Sequence, residues 1–485
     1  MCGQQFTYNL YELFQEQAHK FPKKIMLHYN NVPVLYKDAL HKVHKIAHAL
    51  RKRGVHSKTT VIIQMGNTPY FVYSFFAILQ CNAIPVLVNP LARQFELHHY
   101  ITVTRPDCII TTSFMAERLL QHGIVSDIHT IITIDESSTY TSMDSIVGSD
   151  TYDNHYVQEN NDAAAIIFTS AMDGYAVGAV LTHYGIYQSA KAVAQMMPGH
   201  ALVSVAVLPL FHAFGLTSSL VVPLLKNIPI ELVEKFSLKK LIRILSNNEV
   251  RSFVGVPAMY AIMKGLFERG NNFGHIQLWV SGGDYLPVSL QKWYAERQVD
   301  IRQGYGLTEA SPIVSWNMPE IENKIGSIGK PMPYNKVRVV DDSCRDVPAC
   351  MNGEIIVKGM NVINRYYNNP QKTKEYIKDG WLYTGDIGYF DNDGYLFISG
   401  RKKDMVLKNG YNVYPKEVER LLSYHPDIES VRVTGHVEFL GDSTREWLIA
   451  RVKLKHHATL TADTLRMWCS ENISLYKIPD EIIIE

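Results

Sequence analysis

The chain has 485 residues, 46% of them hydrophobic and 20% charged, which supports more than one packed core and excludes a disordered polyelectrolyte. With 48 Lys and Arg against 47 Asp and Glu, its formal charge is +1. No global field therefore draws it to nucleic acid or an anionic membrane, and any phosphate must be held locally. Its six cysteines, Cys2, Cys81, Cys108, Cys344, Cys350 and Cys469, have no CxxC spacing and predict a reducing compartment without disulfides or a zinc site. The N-terminus lacks a basic segment followed by an apolar run, and no apolar stretch reaches about 18 residues. The expectation is a cytoplasmic protein with no nucleic-acid partner and no membrane span.

In chain order, Leu10, Leu13 and Phe14 recur at helical spacing over residues 9–18, and the same period returns over 36–51. Residues 59–65, TTVIIQM, are β-branched and apolar, as a strand buried on both faces should be. A helical YFVYSFFAILQC and a strand AIPVLVNP follow, and further strands fall at 108–112 and 129–134. Strand alternating with helix predicts a parallel sheet covered by helices, so the fold class is α/β. From Gly329, the short strands KVRVVDD, GEIIVKG and GYLFISG are separated by Gly, Asn and Asp turns, the pattern of an antiparallel unit. After Gly400, a basic, turn-rich segment leads to a helix at 415–423, strands SVRVTGH and LIARVKL, and a last helix at 461–469. The predicted organisation is a large multi-subdomain N-terminal domain over 1–399, a hinge at 400–404 and a small α+β domain over 405–485.

Several segments carry chemistry. Residues 168–183, FTSAMDGYAVGAVLTH, read as a strand, a Ser- and Gly-containing turn and then a helix; backbone N–H groups of such turns can surround phosphate oxygens. Residues 304–312, GYGLTEASP, offer an aromatic face at Tyr305, a hydroxyl at Thr308 and a carboxylate at Glu309. Base stacking, phosphate bonding and Mg2+ coordination need those three group types; helix capping by Thr308 or Ser311 is the plainer alternative. Asp386, in a Thr-Gly-Asp turn, can accept bonds from two vicinal hydroxyls such as those of a ribose, and Arg401 supplies a rigid fork of donors. Taken alone, that pair would be an ordinary surface ion pair. In PLFHAFG at 209–215, a lone His212 is by itself more often a packed residue than a catalyst.

Read in order with SGGDYLP at 281–287, GSIGKP at 326–331, TGDIG and GRKKDMVLKNGYNVYPKEVE, these segments closely resemble the adenylate-forming superfamily of acyl-CoA synthetases, firefly luciferase and peptide-synthetase adenylation domains. The resemblance runs from near Asn9 to the last residue. It implies a large domain that binds ATP and an acid, and a small mobile domain that rotates between adenylation and thioester formation. The implied cofactor-binding residues are Thr169, Ser170, Gly174, Gly282, Gly283, Asp284, Tyr305, Gly306, Thr308, Asp386, Arg401 and Gly410. Among them Tyr305 would stack on adenine, Thr308 bond the α-phosphate, and Asp386 with Arg401 hold the ribose. Gly282, Gly283 and Asp284 would run along the base, where most relatives end in Ala. Glu309 would be the Mg2+ ligand, Lys403 would sit at the hinge, and Gly410 in the turn that faces the pantetheine tunnel after rotation. His212, Thr308, Glu309 and Lys403 make up the implied catalytic set.

Amino-acid-activating members usually place Asp after the Phe of this motif to bind an α-ammonium, which His212 cannot do. The implied substrate is a carboxylic acid without an α-amine, in a pocket lined by residues 254–260 with Phe211, His212 and Ser311, apolar enough for a fatty or aryl acid. The implied second substrate is the thiol of CoA or of an acyl carrier protein's phosphopantetheine.

Two departures stand out. The phosphate loop should read roughly Thr-Ser-Gly-Thr-Thr-Gly-x-Pro-Lys-Gly, and here it runs Thr169, Ser170, Ala171, Met172, Asp173, Gly174, Tyr175, Ala176, Val177, Gly178. Two hydroxyls and an ammonium are replaced. Unit charges about 5 Å apart interact by about 3 kcal/mol at an effective dielectric near 20, so Val177 for Lys and the gain of Asp173 both disfavour a triphosphate. The segment YKIPDEIIIE at 476–485 matches the family's last strand, and the sequence stops ahead of the usual Leu-Pro-x-Thr-x-x-Gly-Lys lysine. The expectation is a ligase with slowed adenylation and retained thioester formation. The alternative is a non-catalytic acyl-adenylate or nucleotide-binding homologue serving as a regulatory or scaffold subunit.

Overall fold

A computed structural model describes residues 9–121, 128, 130–135, 139–146, 163–170, 176–197, 203–271, 273–401, 406–408, 411–440 and 443–485. Gly174, Lys403 and Gly410 lie outside the described residues, as do Asp173 and the rest of 171–175.

Strands buried on both faces form the first sheet. Its spatial order is Thr141–Ser142, Thr130–Thr133, Cys108–Thr111, Thr60–Gln64, Ile84–Val88, Ala163–Ser170 and Ala176–Thr182. Neighbours are parallel except for the last pair, an antiparallel hairpin. The two-residue period divides each strand between two cores. Val61 and Ile63 pack with the helices Leu10–Lys20, Tyr36–Lys52 and Pro69–Gln80, while Ile62, Val86 and Val88 pack with Leu97, Tyr100 and Ile101 of the helix Gln94–Thr104. The first helix is set by its cap: Asn9 Oδ1 accepts from the Glu12 N–H at 2.8 Å, and the Glu12 carboxylate accepts the Asn9 N–H at 3.3 Å.

A second sheet runs Ser252–Gly255, Leu278–Ser281, Ile301–Gly306, Ile313–Trp316 and Lys330–Pro331, parallel over the first three strands and antiparallel after them. A third, antiparallel sheet is built from Asn335–Val340, Gly353–Gly359, Trp381–Phe390 and Ile377–Lys378, with Leu396–Arg401 pairing to Trp381–Phe390. The C-terminal residues form an α+β unit with its own core, in which Val413, Val418, Leu421, Leu448, Ala450, Leu465 and Ile473 are all buried.

Two expectations change. After the phosphate loop the chain enters a second strand, Ala176–Thr182, buried along its whole length, and the helix begins only at His183. The Thr182 side chain caps that helix by accepting the Gly185 N–H at 3.0 Å. The loop therefore joins the two arms of a hairpin and does not end on a helix N-terminus. The C-terminal strands are also longer than their apolar cores, Ile428–Leu440 and Ser443–Leu454. Their added residues, such as Glu438 and Arg445, are exposed, so they carry no burial signal. Cross-strand partners hold them, as where the added Trp447 stacks on His436 at 5.6 Å.

Gly329, in GSIGKP, has φ +80°, and a Cβ there would lie 1.9 Å from the carbonyl carbon of Trp316. Gly329→Ala should cost about 3 kcal/mol or more in urea unfolding, from strain and collision together. Gly394→Ala, where φ is +77° and the space is open, should cost only about 1 kcal/mol. Equal losses would contradict the packing argument.

Candidate active site

The second and third sheets meet at Asp386. Tyr305 stands at the end of the strand Ile301–Gly306, and its hydroxyl donates to Asp386 Oδ2 at 2.5 Å. Strand pairing places Arg401 directly opposite Asp386, with Arg401 Nε 3.0 Å from Oδ1. Each carboxylate oxygen thus has one charged or polar donor, and the residue is only 4% exposed. Arg401 Nη1 also donates to the Tyr414 hydroxyl at 3.4 Å, which reaches into the C-terminal unit. Burial, then the Asp386 charge, pushes the Tyr305 hydroxyl far above its ordinary pKa, so it stays a donor.

Thr308 and Glu309 occupy a single 3₁₀ turn, Thr308–Ala310, immediately after that strand. Gly306 is required at the joint, since a Cβ there would lie 2.0 Å from the Pro312 carbonyl oxygen. Glu309 Oε1 accepts from the Thr169 hydroxyl at 2.9 Å and from the Tyr366 hydroxyl at 3.1 Å. Burial raises the Glu309 pKa, and the hydroxyl donors oppose the shift only in part. Tyr366 was not legible in the sequence, because it belongs to a loop with no spacing signature. The backbone shows why it is there: the Ile363 N–H donates to the Glu309 carbonyl at 2.8 Å, so residues 361–366 run beneath the turn.

Thr169 and Val177 are Cα partners across the hairpin. Side chains of such partners share a face, with Cβ atoms about 4.5–5.5 Å apart. Val177 therefore stands on the face that carries Thr169 to Glu309, and it is 6% exposed. Ser170 ends its strand opposite Ala176.

Gly282 lies under Phe214, whose ring a Cβ would meet at 3.2 Å, and Gly283 adopts φ +81° to turn the chain toward Asp284. The Asp284 carboxylate accepts the Tyr285 N–H. Its pKa is pushed up to about 7, first by burial and further by the Glu446 carboxylate of the C-terminal unit, with Arg401 opposing. His212 precedes a short helix and a π-helical turn, Leu216–Val221, a distortion found often at functional sites. Burial lowers its pKa to about 4, so the imidazole is neutral near pH 7. Its ring lies 4.6 Å from Phe211 and 6.2 Å from Tyr411 of the C-terminal unit.

Of the expected acid pocket, Tyr260 belongs to the core instead. It is fully buried in the helix Pro257–Glu268, and its hydroxyl donates to the Val280 carbonyl at 2.7 Å. Among the described residues no cluster of three or more His, Cys, Asp or Glu could hold a metal. No described helix is long and apolar enough to cross a membrane.

A two-domain α/β fold that gathers an aromatic ring, a hydroxyl, an acid and a carboxylate–guanidinium pair where two sheets meet defines an adenylate-forming enzyme. The family described as AMP-binding enzyme matches residues 14–367, and the chain belongs to that family. It is 28% identical to a long-chain-fatty-acid–CoA ligase of Bacillus subtilis, over 97% of this chain and 90% of that one. It is 30% identical to a long-chain-fatty-acid–CoA ligase of Escherichia coli, over 88% and 82% of the two chains. Among solved structures, a double mutant of o-succinylbenzoate CoA synthetase from Bacillus subtilis, bound with its product analogue OSB-NCoA, matches with TM-score 0.85 and 25% identity, over 98% of this chain and 94% of that one.

The raised pKa of Asp284 has a signed consequence. The folded protein holds this proton from the ordinary carboxylate range near pH 4 up to about pH 7, where the unfolded chain does not. The associated stability is present below that window and lost as pH rises through it. Asp284→Asn should therefore gain stability relative to the parent at pH 8 compared with pH 5, in urea unfolding at both pH values. A difference independent of pH would contradict this.

Proposed function

We propose that the chain is an acid–thiol ligase. It activates a fatty or aryl carboxylic acid with ATP, giving acyl-AMP and pyrophosphate, and then passes the acyl group to the thiol of CoA or of a carrier protein's phosphopantetheine. The first step is slow relative to the second. The observation that carries this reading is the convergence of Tyr305, Glu309, Asp386 and Arg401 where the second and third sheets meet; the fatty-acid and o-succinylbenzoate CoA ligases it resembles support the acid and thiol classes.

In this reading Tyr305 gives the base an aromatic face, and its hydroxyl holds Asp386 still. Asp386 accepts from the ribose hydroxyls with Arg401 fixing its orientation, Thr308 donates to the α-phosphate, and positioning supplies most of the rate. Mg2+ bound at Glu309 would neutralise charge on the phosphates. His212, being neutral, donates one N–H toward the acid carboxylate and offers nothing to an α-ammonium. This reading takes residues 1–399 as the large domain, 400–404 as the hinge and 405–485 as the small domain. Tyr411 beside His212, and the whole-chain likeness to a synthetase holding a product analogue, support a thioester-forming orientation.

Slow adenylation follows from Val177. An ammonium at that position would face Glu309 and the triphosphate, and hydroxyls replace it here. Val177→Lys should raise acid-dependent pyrophosphate exchange about tenfold or more, while thioester formation from supplied acyl-adenylate changes little. AMP binding in calorimetry with no exchange and no thioester in either protein would instead favour a non-catalytic nucleotide-binding homologue.

A further inference from the structure

One ammonium bridges the C-terminal unit and the large one. Lys477, at the end of the 3₁₀ turn Leu475–Lys477, places Nζ 2.5 Å from Oε1 of Glu96 and 2.8 Å from Oε1 of Glu417. All three side chains are at most 3% exposed. Glu417 lies in the first turn of the helix Pro415–Leu422, within the same unit as Lys477. Glu96 belongs to the helix Gln94–Thr104 on the large side. It accepts the N–H of its own Arg93 at 2.9 Å, and from the far side it takes the Ser474 N–H at 3.2 Å and the Ser474 hydroxyl. Three of its donors, those of Ser474 and Lys477, thus come from across the joint.

The contact continues to the reacting groups. Tyr476, adjacent to Lys477, stacks on Tyr411 at 4.1 Å, and Tyr411 faces His212 at 6.2 Å. On the other flank Phe95 stacks on Tyr424 at 4.6 Å. These distances hold together in one relative orientation of the two units only, because Glu96 and Lys477 have their partners on opposite sides of the joint.

We propose that Glu96 and Lys477 are positioning residues that latch the small domain in its thioester-forming orientation, seating Tyr411 against His212 while the thiol attacks. The proposal rests on the functional reading above. A buried ion pair suits a joint that must open. Its Coulomb attraction is largely offset by dehydration, so it adds little net affinity, yet removal of either partner leaves an uncompensated buried charge. An apolar contact of the same area would be left exposed to water whenever the domain turned away.

The test uses Glu96→Gln and Lys477→Met with two readouts. Thioester formation from supplied acyl-adenylate and CoA should fall about tenfold or more in both variants, while acid-dependent pyrophosphate exchange holds or rises. A structural defect would lower both. In parallel, spin labels at Phe114→Cys and Met467→Cys, both exposed positions on opposite sides of the joint, report the inter-domain distance in a background with Cys2, Cys344 and Cys350 changed to Ser. The parent should give a narrow distribution that broadens or shifts in each variant. Parent-like distances with parent-like thioester rates, or equal loss of both half-reactions, would overturn the latch. If the parent catalyses neither half-reaction, the functional reading falls and the distance distributions alone decide the latch: broadening supports it and no change overturns it.

Discussion

Asp386 is the group on which the site depends. A carboxylate this deeply buried is tolerable only if both oxygens are satisfied, and here one is bonded by Tyr305 and the other by Arg401. Those partners come from different sheets, so satisfying one charge fixes the second sheet against the third. The same Arg401 reaches Tyr414, which ties the arrangement to the C-terminal unit. Tyr305, Asp386 and Arg401 are therefore held in place by contacts within the protein, which in the proposed reading lowers the ordering cost of binding a nucleotide.

Around that fixed point stand two sets of groups, those beside Asp386 and those on the hairpin Ala163–Thr182. The junction carrying Tyr305, Thr308, Glu309, Asp386 and Arg401 has the group types that an adenylate needs. The hairpin opposite it presents Val177 where a cation would meet Glu309, and Glu309 is held by neutral hydroxyls from Thr169 and Tyr366. Burial raises its pKa.

Much of this was legible in the sequence because the signals were local. The buried strand at Thr60–Gln64 and the helix at Leu10–Lys20 follow from β-branched apolar composition and apolar period, and the site motifs are marked by residue types that are themselves the signal. What was missed depended on tertiary neighbours. Tyr366 reaches Glu309 only because its loop passes beneath the Thr308–Ala310 turn, Tyr260 turns into the core because its helix starts at Pro257, and the strand Ala176–Thr182 follows the phosphate loop because every one of its residues finds a buried place in the sheet. The bridge from Glu96 to Lys477 spans most of the chain, and two isolated charges at that separation carry no pattern.

The central claim is that the site handles a preformed acyl-adenylate better than it makes one. Rapid-quench measurement of the two half-reactions in the unaltered protein tests it most directly, with one fatty or aryl acid that supports turnover. The account predicts that supplied acyl-adenylate and CoA yield thioester about tenfold or more faster than acid and ATP yield acyl-adenylate, the factor expected from losing one cation at the phosphates. Adenylation as fast as thioester formation would contradict it, and so would no thioester from supplied acyl-adenylate.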